Sequence, residues 1–187
     1  TLPQGLRAFI NRYLRNPIEI SISEDEKMKP RIEHILINHR HRDINDELLD
    51  LITSINPLLA LIFTNTKVQA EETAAYLREY GIDCLEIHGG LKDRRRKQVL
   101  REIKNSKVQF IVATDLAARG IDLPEISHVI NLGLPSHDLS FYTHRAGRTG
   151  RSGREGYAIS LVSDKEESSI RKLMKEGIKF NYKRVSD

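Results

Sequence analysis

The sequence has few of the residues that mark unusual classes of protein. Among its 187 residues there are no Trp, one Cys and 6 Pro. These numbers exclude a disulfide-stapled scaffold, a collagen-like chain and a low-complexity chain. The longest apolar run, LLALIF at 58–63, is far shorter than the ~20 residues that cross a bilayer, and no basic region followed by an apolar stretch opens the chain. We therefore predict one soluble globular domain, without a membrane partner or a secretory leader.

The lone cysteine and the small net charge place only loose bounds on compartment and partners. Cys84 has no second cysteine for a disulfide and no partner for a metal site, so we expect a small core residue and a cytoplasmic, reducing location. The net charge is only +4, an excess that by itself identifies no polyanion partner. The positions of the charges therefore matter more than their sum.

Strand-like and helix-like segments alternate from residue 31 onward. The predicted strands span 32–37, 58–63, 83–87, 108–113, 128–132 and 156–161, and the predicted helices span 43–55, 66–80, 91–105 and 164–175. The run 58–63 is apolar throughout, which is typical of a strand covered by helices on both faces. The alternation predicts an α/β fold with a doubly wound, mostly parallel sheet flanked by helices, whose ligands bind beyond the carboxyl ends of the strands.

The first 30 residues do not follow this alternation. Residues 3–16 have apolar positions at helical spacing and 18–22 alternate like a strand, whereas 23–30 are charged and end at a proline, as linkers often do. We therefore divide the chain into an opening segment 1–22, a linker 23–30, a main domain 31–176 and a C-terminal extension 177–187.

The segment HRAGRTGR at 144–151 is the most informative for chemistry. Arg148 and Arg151 are three residues apart, so both can converge on one anion, and their planar guanidinium groups match phosphate oxygens in a bidentate way. Gly147 and Gly150 leave room for a close approach of the backbone to a ligand or a turn. A generic basic loop would be interpreted as a solvated surface, but the regular spacing after an apolar strand and a helix favours an anion site.

Two further segments are suited to phosphate groups. In ATDLAARGID at 113–122, Thr114 offers a hydroxyl and a helix-start amide to a phosphate, and Asp122 can accept from a ribose hydroxyl. Structural roles stay open here, since Asp115 can cap the next helix and Asp122 can be a turn residue before Pro124. The helix after 88–90 carries seven cations opposed by two acids, a positive potential able to follow a nucleic-acid backbone, and of these cations we single out Arg96.

In order and spacing, these segments resemble the second, C-terminal RecA-like domain of DEAD-box RNA helicases, which are ATP-dependent enzymes of superfamily 2. FTNT at 63–66 resembles the family's motif IV, and HG at 88–89 with Arg96 resembles motif IVa. The segment 113–122 resembles motif V, and YTHRAGRTGR at 142–151 resembles motif VI. Thr1 resembles the last residue of the Ser-Ala-Thr motif III, which would make 1–22 the tail of a preceding ATPase domain.

The resemblance implies a role for each matched residue. Arg148 and Arg151 would be catalytic arginine fingers that contact the γ-phosphate of ATP. Together with Gly120 and Asp122 they would bind the nucleotide. The RNA backbone would be bound, whatever the base sequence, by Thr64, Asn65, Gly89, Arg96, Thr114 and Arg119. His144 would link this domain to its N-terminal partner, and Arg145 would have a structural role.

Two segments that ATP hydrolysis requires are absent from the sequence. There is no GxxxxGK followed by Ser or Thr to hold nucleotide phosphates, and no Asp-Glu-Ala-Asp to hold magnesium. The resemblance therefore implies that ATP and Mg²⁺ are bound mainly by an N-terminal RecA-like domain of the same protein. We expect this chain alone to be a monomer without a metal site and without ATPase activity.

Asp93 stands where the family usually has glutamine, and an ionised carboxylate there would repel an RNA phosphate.

Two hypotheses about function remain. The chain is part of an ATP-dependent RNA helicase that unwinds short duplexes locally, or it is a standalone RNA- or protein-binding module without ATPase activity. The helicase-like segment 1–22 favours the first.

Overall fold

The strands of this fold form one sheet in which every pairing is parallel. The computed structural model describes residues 12, 31–105, 108–119, 121, 123 and 125–183. Its strands are β1 (Arg31–Asn38), β2 (Ala60–Thr64), β3 (Cys84–Ile87), β4 (Phe110–Thr114), β5 (His128–Leu132), β6 (Glu155–Val162) and β7 (Phe180–Lys183). Their order across the sheet is β3-β4-β2-β5-β6-β1-β7. The carboxyl ends of β3, β4, β2 and β5 are therefore neighbours at one edge.

Helices connect the strands. They are α1 (Ile44–Ser54), α2 (Lys67–Glu79), α3 (Asp93–Lys104), α4 (Asp115–Ala118), α5 (Ser140–Ala146) and α6 (Glu167–Lys175), with short 3₁₀ turns at Arg151–Gly153 and Asp164–Glu166. Local sequence explains several of the boundaries. Asp43 accepts the Asn45 N–H at 2.8 Å and Thr66 accepts the Gln69 N–H at 3.0 Å, which satisfies amides that the first turns of α1 and α2 leave free.

Apolar side chains cover both faces of the sheet. One face is packed by α1 and α2 through Leu48, Leu51, Ile52, Ala70, Ala74 and Leu77. The other face is packed by α3, α4, α5 and α6 through Val99, Ile103, Ala117, Tyr142, Ala146, Ile170 and Leu173. Strand β2 is buried along its whole length, as its uninterrupted apolar sequence predicts. Cys84 is a buried core residue, and burial raises the pKa of its thiol to about 11.

The doubly wound sheet is confirmed, and each of the six predicted strands is present with its ends within two residues of the prediction. Strand β7 was not predicted. It lies within 177–187 and pairs with β1 from His34↔Phe180 to Ile37↔Lys183, so the sheet extends beyond residue 176. Its four residues, FNYK, alternate aromatic and polar side chains, but the run is at the lower limit of length that indicates a strand and lies within a basic segment. The helix and strand expected within 1–22, and the linker, lie outside the described residues except for Arg12.

No helix in the described ranges is long and apolar enough to cross a membrane.

Candidate functional site

A buried arginine organises the carboxyl edge of the sheet. Arg145 on α5 has only 1% of its surface exposed. Its Nε and Nη2 donate to the two carboxylate oxygens of Asp115 at 2.7 and 2.6 Å, a bidentate pair. Nη2 also donates to Asn65 Oδ1 at 2.9 Å, and Nη1 lies 3.4 Å from both Asn131 Oδ1 and the Gly133 carbonyl. The structural role expected of Arg145 is confirmed, and Asp115 serves this ion pair rather than capping α4 with its side chain.

The same helix follows a short hydrogen-bonded turn and leads into a tightly held loop. The Asp138 carboxylate accepts the Ser140 N–H at 2.9 Å, and this bond lowers its pKa. After α5, the Thr149 hydroxyl lies 2.7 Å from the Ile126 carbonyl oxygen, where the loop crosses the start of β6. A Cβ at Gly156 would lie 2.3 Å from Thr149 Oγ1 and 2.4 Å from the Gly150 nitrogen, so only glycine allows this crossing. Gly150 itself has φ +67°.

Arg148 and Arg151 project from this loop region. The Arg148 side chain is half-buried and makes no hydrogen bond or ion pair to any other described residue. Burial, together with the charges of Arg151 and Arg119, lowers its pKa from the ordinary value, although a guanidinium stays protonated in proteins. Arg151 is exposed, and its Nε donates to the Gly147 carbonyl at 3.1 Å. A half-buried cation without an acceptor, beside two more cations, favours an anionic ligand.

These arginines line a cleft of about 420 Å³. Its walls are formed by Phe63, Asp115, Ala118, Arg119, Phe141, Thr143, His144, Arg145, Gly147, Arg148 and Arg151. Asp115 is paired with Arg145, so the charges of Arg119, Arg148 and Arg151 are left uncompensated in the lining. Arg119 lies over the Phe141 ring at 4.7 Å from its centroid, a cation–π contact, and His144 meets the same ring edge-on at 5.9 Å.

A second group of predicted residues lies at the ends of β3 and β4. Gly89 is exposed in the turn after β3, and the half-buried Thr114 ends β4. The Thr114 hydroxyl makes no hydrogen bond within the described part of the chain. Arg96 on α3 donates from Nη2 to the Ala117 carbonyl at 3.2 Å, which ties α3 to α4. The adjacency of β3 and β4 brings Gly89, Arg96 and Thr114 to one edge, and the exposed cations of α3 continue it.

Some predicted site residues are placed differently. Thr64 is fully buried and its hydroxyl donates to the Thr66 carbonyl at 3.1 Å, so it has no surface to offer RNA. The Asn65 amide is occupied, because its Nδ2 donates to the Leu134 carbonyl at 3.0 Å and its Oδ1 accepts from Arg145. These two side chains stabilise the edge of the sheet, and we do not include them in the proposed RNA site. Gly120 and Asp122 lie outside the described residues.

The contacts of several residues at the site were not predicted from the sequence. Phe63 and Phe141 support Arg145 and Arg119 from below, at 5.2 and 4.7 Å from Cζ to the ring centroids. Glu166 accepts the Leu134 N–H at 2.6 Å and the Ser163 N–H at 2.8 Å, which fixes the loop after β5. The Ser163 to Glu166 spacing is a capping-box signal and could have identified Glu166. Nothing in the sequence marks the two phenylalanines as partners of particular arginines.

Comparisons with known proteins agree with this geometry. Residues 43–153 match the family model described as helicase conserved C-terminal domain. The chain is 42% identical over 182 residues to the DEAD-box ATP-dependent RNA helicase CshB of Bacillus subtilis (strain 168). The aligned region covers 97% of this chain and 41% of that protein. The chain thus spans about two fifths of the length of that curated relative.

Two solved structures share the fold. The C-terminal domain of the DEAD-box protein Dbp5 matches with a TM-score of 0.71 and 29% identity, over 84% of this chain and 92% of that one. Saccharomyces cerevisiae Dbp5 bound to RNA and ADP BeF3 matches with a TM-score of 0.78 and 27% identity, over all of this chain and 50% of that one. The chain therefore belongs to the helicase conserved C-terminal domain family, and in sequence and fold it is similar to the C-terminal part of DEAD-box proteins.

Proposed function

We propose that this domain binds the RNA backbone at one part of its sheet edge and supplies arginine fingers to ATP at another. The observation that carries the proposal is Arg148, a half-buried guanidinium with no acceptor among the described residues in a cleft lined by two further unpaired cations. The whole protein would then hydrolyse ATP and unwind short RNA duplexes locally. Relatives named as ATP-dependent RNA helicases support this proposal.

The nucleotide would meet the 420 Å³ cleft from an N-terminal RecA-like domain of the same protein. Arg148 and Arg151 would bind the γ-phosphate and stabilise the charge that spreads over its oxygens in the transition state. The bidentate pair of Arg145 with Asp115 holds α5, the helix that leads into the loop with both arginines, so little reorganisation is required at the moment of reaction. His144, exposed at the cleft, would contact the N-terminal domain, and Asp122 the ribose.

Magnesium belongs to this proposal only as an ion held by the N-terminal domain. No group of three or more His, Cys, Asp or Glu in the described ranges is arranged to hold a metal. When bound, Mg²⁺ neutralises phosphate charge. None of the roles proposed for the residues of this chain involves contact with the ion.

RNA would be bound beside the nucleotide through phosphates. Gly89, Arg96 and Thr114 offer a backbone amide, a guanidinium and a hydroxyl, groups that contact phosphate oxygens without reading base sequence. The exposed Arg119, on the turn that follows α4, lines the cleft and would also contact RNA. The match to a Dbp5 structure bound to RNA and ADP BeF3 supports a shared edge for both ligands. Each ligand would then favour the closed arrangement of the two domains and so strengthen binding of the other.

Replacement of Arg148 tests the finger assignment. In the natural full-length protein, Arg148→Ala should lower the kcat of RNA-stimulated ATP hydrolysis by roughly 10³-fold, the scale of arginine fingers elsewhere. Binding of a fluorescent ATP analogue to the free enzyme should change by less than about threefold, because the finger acts mainly on the transition state. Steady-state kinetics and analogue titration measure the two effects.

The matched control is Arg154→Ala. Arg154 is exposed, pairs with Glu125 and does not line the cleft, so the same loss of charge should leave kcat near that of the wild type. Near-normal turnover of Arg148→Ala would contradict the assignment of Arg148 as a finger.

A further inference from the structure

The turn after β3 is stabilised by His88 from both its backbone and its ring. The His88 carbonyl accepts the Leu91 N–H at 3.2 Å, which closes the turn, and His88 Nδ1 accepts the Gly90 N–H at 3.2 Å. Only 2% of this residue is exposed. The side-chain acceptor two residues before the donor is the geometry of an Asx turn, formed here by an imidazole. Two of the three amides of the turn are thus satisfied by His88.

The surroundings of the ring select one tautomer. Because Nδ1 accepts a hydrogen bond, the proton of the neutral ring is on Nε2. Nε2 lies 3.6 Å from Glu71 Oε1, and the same oxygen lies 3.9 Å from Lys67 Nζ. Glu71 and Lys67 both belong to α2, so this helix holds the ring with Nδ1 toward the turn.

The remaining amide of the turn is free. The Gly89 N–H makes no hydrogen bond to any residue that the structure describes, Gly89 is exposed, and a Cβ there would meet no atom within 4 Å. The Lys67 side chain lies against the next residue, with its Cδ and Nζ 2.8 Å from the position of a Cβ on Gly90. A free amide on an open surface, one residue before a glycine that an ammonium group contacts, is suited to an anion.

We propose that His88 is a positioning residue for RNA, one that fixes the turn so that Gly89 presents its amide, and Lys67 its charge, to a backbone phosphate. This inference rests on the proposed RNA-binding function and adds two residues, His88 and Lys67, to it. Loss of the Nδ1 acceptor would release the Gly90 N–H and let the turn sample other conformations. The ordering of Gly89 would then have to be supplied when RNA binds, at a cost in affinity.

The test compares two substitutions of His88 in the natural full-length protein. His88→Leu removes the acceptor, whereas His88→Asn restores it, since Asn Oδ1 accepts the N–H two residues on in an ordinary Asx turn. Single-stranded RNA binding, measured by fluorescence anisotropy with a non-hydrolysable ATP analogue, should weaken about tenfold in His88→Leu and less than about threefold in His88→Asn. His41→Leu, an exposed histidine in the loop after β1, is the matched control and should bind like the wild type.

A second measurement keeps the result independent of RNA. Amide hydrogen exchange of selectively labelled glycines should show a protected Gly90 N–H in the wild type and in His88→Asn, and an unprotected one in His88→Leu. Equal RNA affinity of His88→Leu and wild type, equal losses in both His88 variants, or an unprotected Gly90 in the wild type would each overturn the inference while leaving RNA binding intact. A wild-type protein that does not bind RNA would overturn the proposed function and this inference with it.

Discussion

Arg145 shows how a charge can be kept inside the domain. Burial of an isolated guanidinium is costly, and the cost is offset here by acceptors that surround it in a fixed geometry. The acceptors come from the ends of β2, β4 and β5, through Asn65, Asp115, Asn131 and Gly133. One side chain therefore sets the relative positions of three strand ends and of the helix that leads to Arg148.

Removal of this charge should destabilise the fold. Arg145→Met leaves the Asp115 carboxylate and the two amide oxygens without their donor, and we expect a loss of about 3 kcal/mol in the free energy of unfolding. Urea denaturation followed by circular dichroism measures it. Arg154→Met, at an exposed ion pair, should cost less than about 1 kcal/mol. Equal stabilities of the two variants would show that the network contributes nothing.

At the scale of elements, a cluster of rings joins β1, β7 and α5. His34 Nδ1 lies 2.8 Å from the Tyr142 hydroxyl, and the Phe180 ring meets His34 and Tyr142 edge-on at 6.0 and 5.7 Å. Tyr142 is fully buried. Arg145, which lines the cleft, lies on the same helix α5. The packing of the edge strand β7 on α5 therefore also helps to position the cleft.

This cluster predicts a dependence of stability on pH. Burial lowers the pKa of His34 below its ordinary 6.5, so the folded state favours the neutral ring and the unfolded state binds more protons. The stability that the protein has with a neutral His34 ring is fully present above about pH 6.5 and is lost as the pH falls through the folded-state pKa of His34. The free energy of unfolding should therefore fall between pH 7.5 and 5.5.

The decrease should be smaller in His34→Asn, which keeps an acceptor for Tyr142 but does not titrate. His128, whose pKa burial also lowers, remains in both proteins and contributes a background in the same direction. His41→Asn, at an exposed position, serves as the control. An identical pH profile for wild type and His34→Asn would remove His34 as a source of the effect.

For the whole molecule, the location of charge matters more than its total. The excess of +4 is small, yet the cleft contains three uncompensated arginines and six of the twelve residues of α3, at the same sheet edge, are basic. Such a concentration attracts phosphates from both ligands, and the binding of RNA should weaken steeply with salt.

Arg96→Ala tests whether the edge of the sheet binds RNA. We expect weaker binding of single-stranded RNA in the presence of a non-hydrolysable ATP analogue, and a slope of log affinity against log salt that is smaller by about 1. Lys172→Ala removes the same charge from an exposed position on α6 and should leave both quantities unchanged. An unchanged affinity and slope in Arg96→Ala would exclude Arg96 from the RNA contact.

The sequence by itself determined six of the seven strands and predicted that the polar loops beyond their carboxyl ends lie at one edge of the sheet. Capping residues such as Asp43 and Thr66, and the unbroken apolar run of β2, act through neighbours along the chain, which is why pattern reasoning finds them. It also predicted that Arg148 and Arg151 converge at an anion site, because their spacing and the surrounding glycines form one short segment, and both residues line the cleft.

The tertiary structure decided which of these polar residues face outward. Thr64 and Asn65 follow a strand just as Thr114 ends one, but contacts to distant segments bury the first and occupy the amide of the second. Strand β7, the Arg145 network and the His88 turn likewise depend on partners far away in the sequence or on the orientation of a ring. Which residues are buried and which contacts form depends on packing between segments that are remote in the sequence. A local sequence pattern therefore does not predict them.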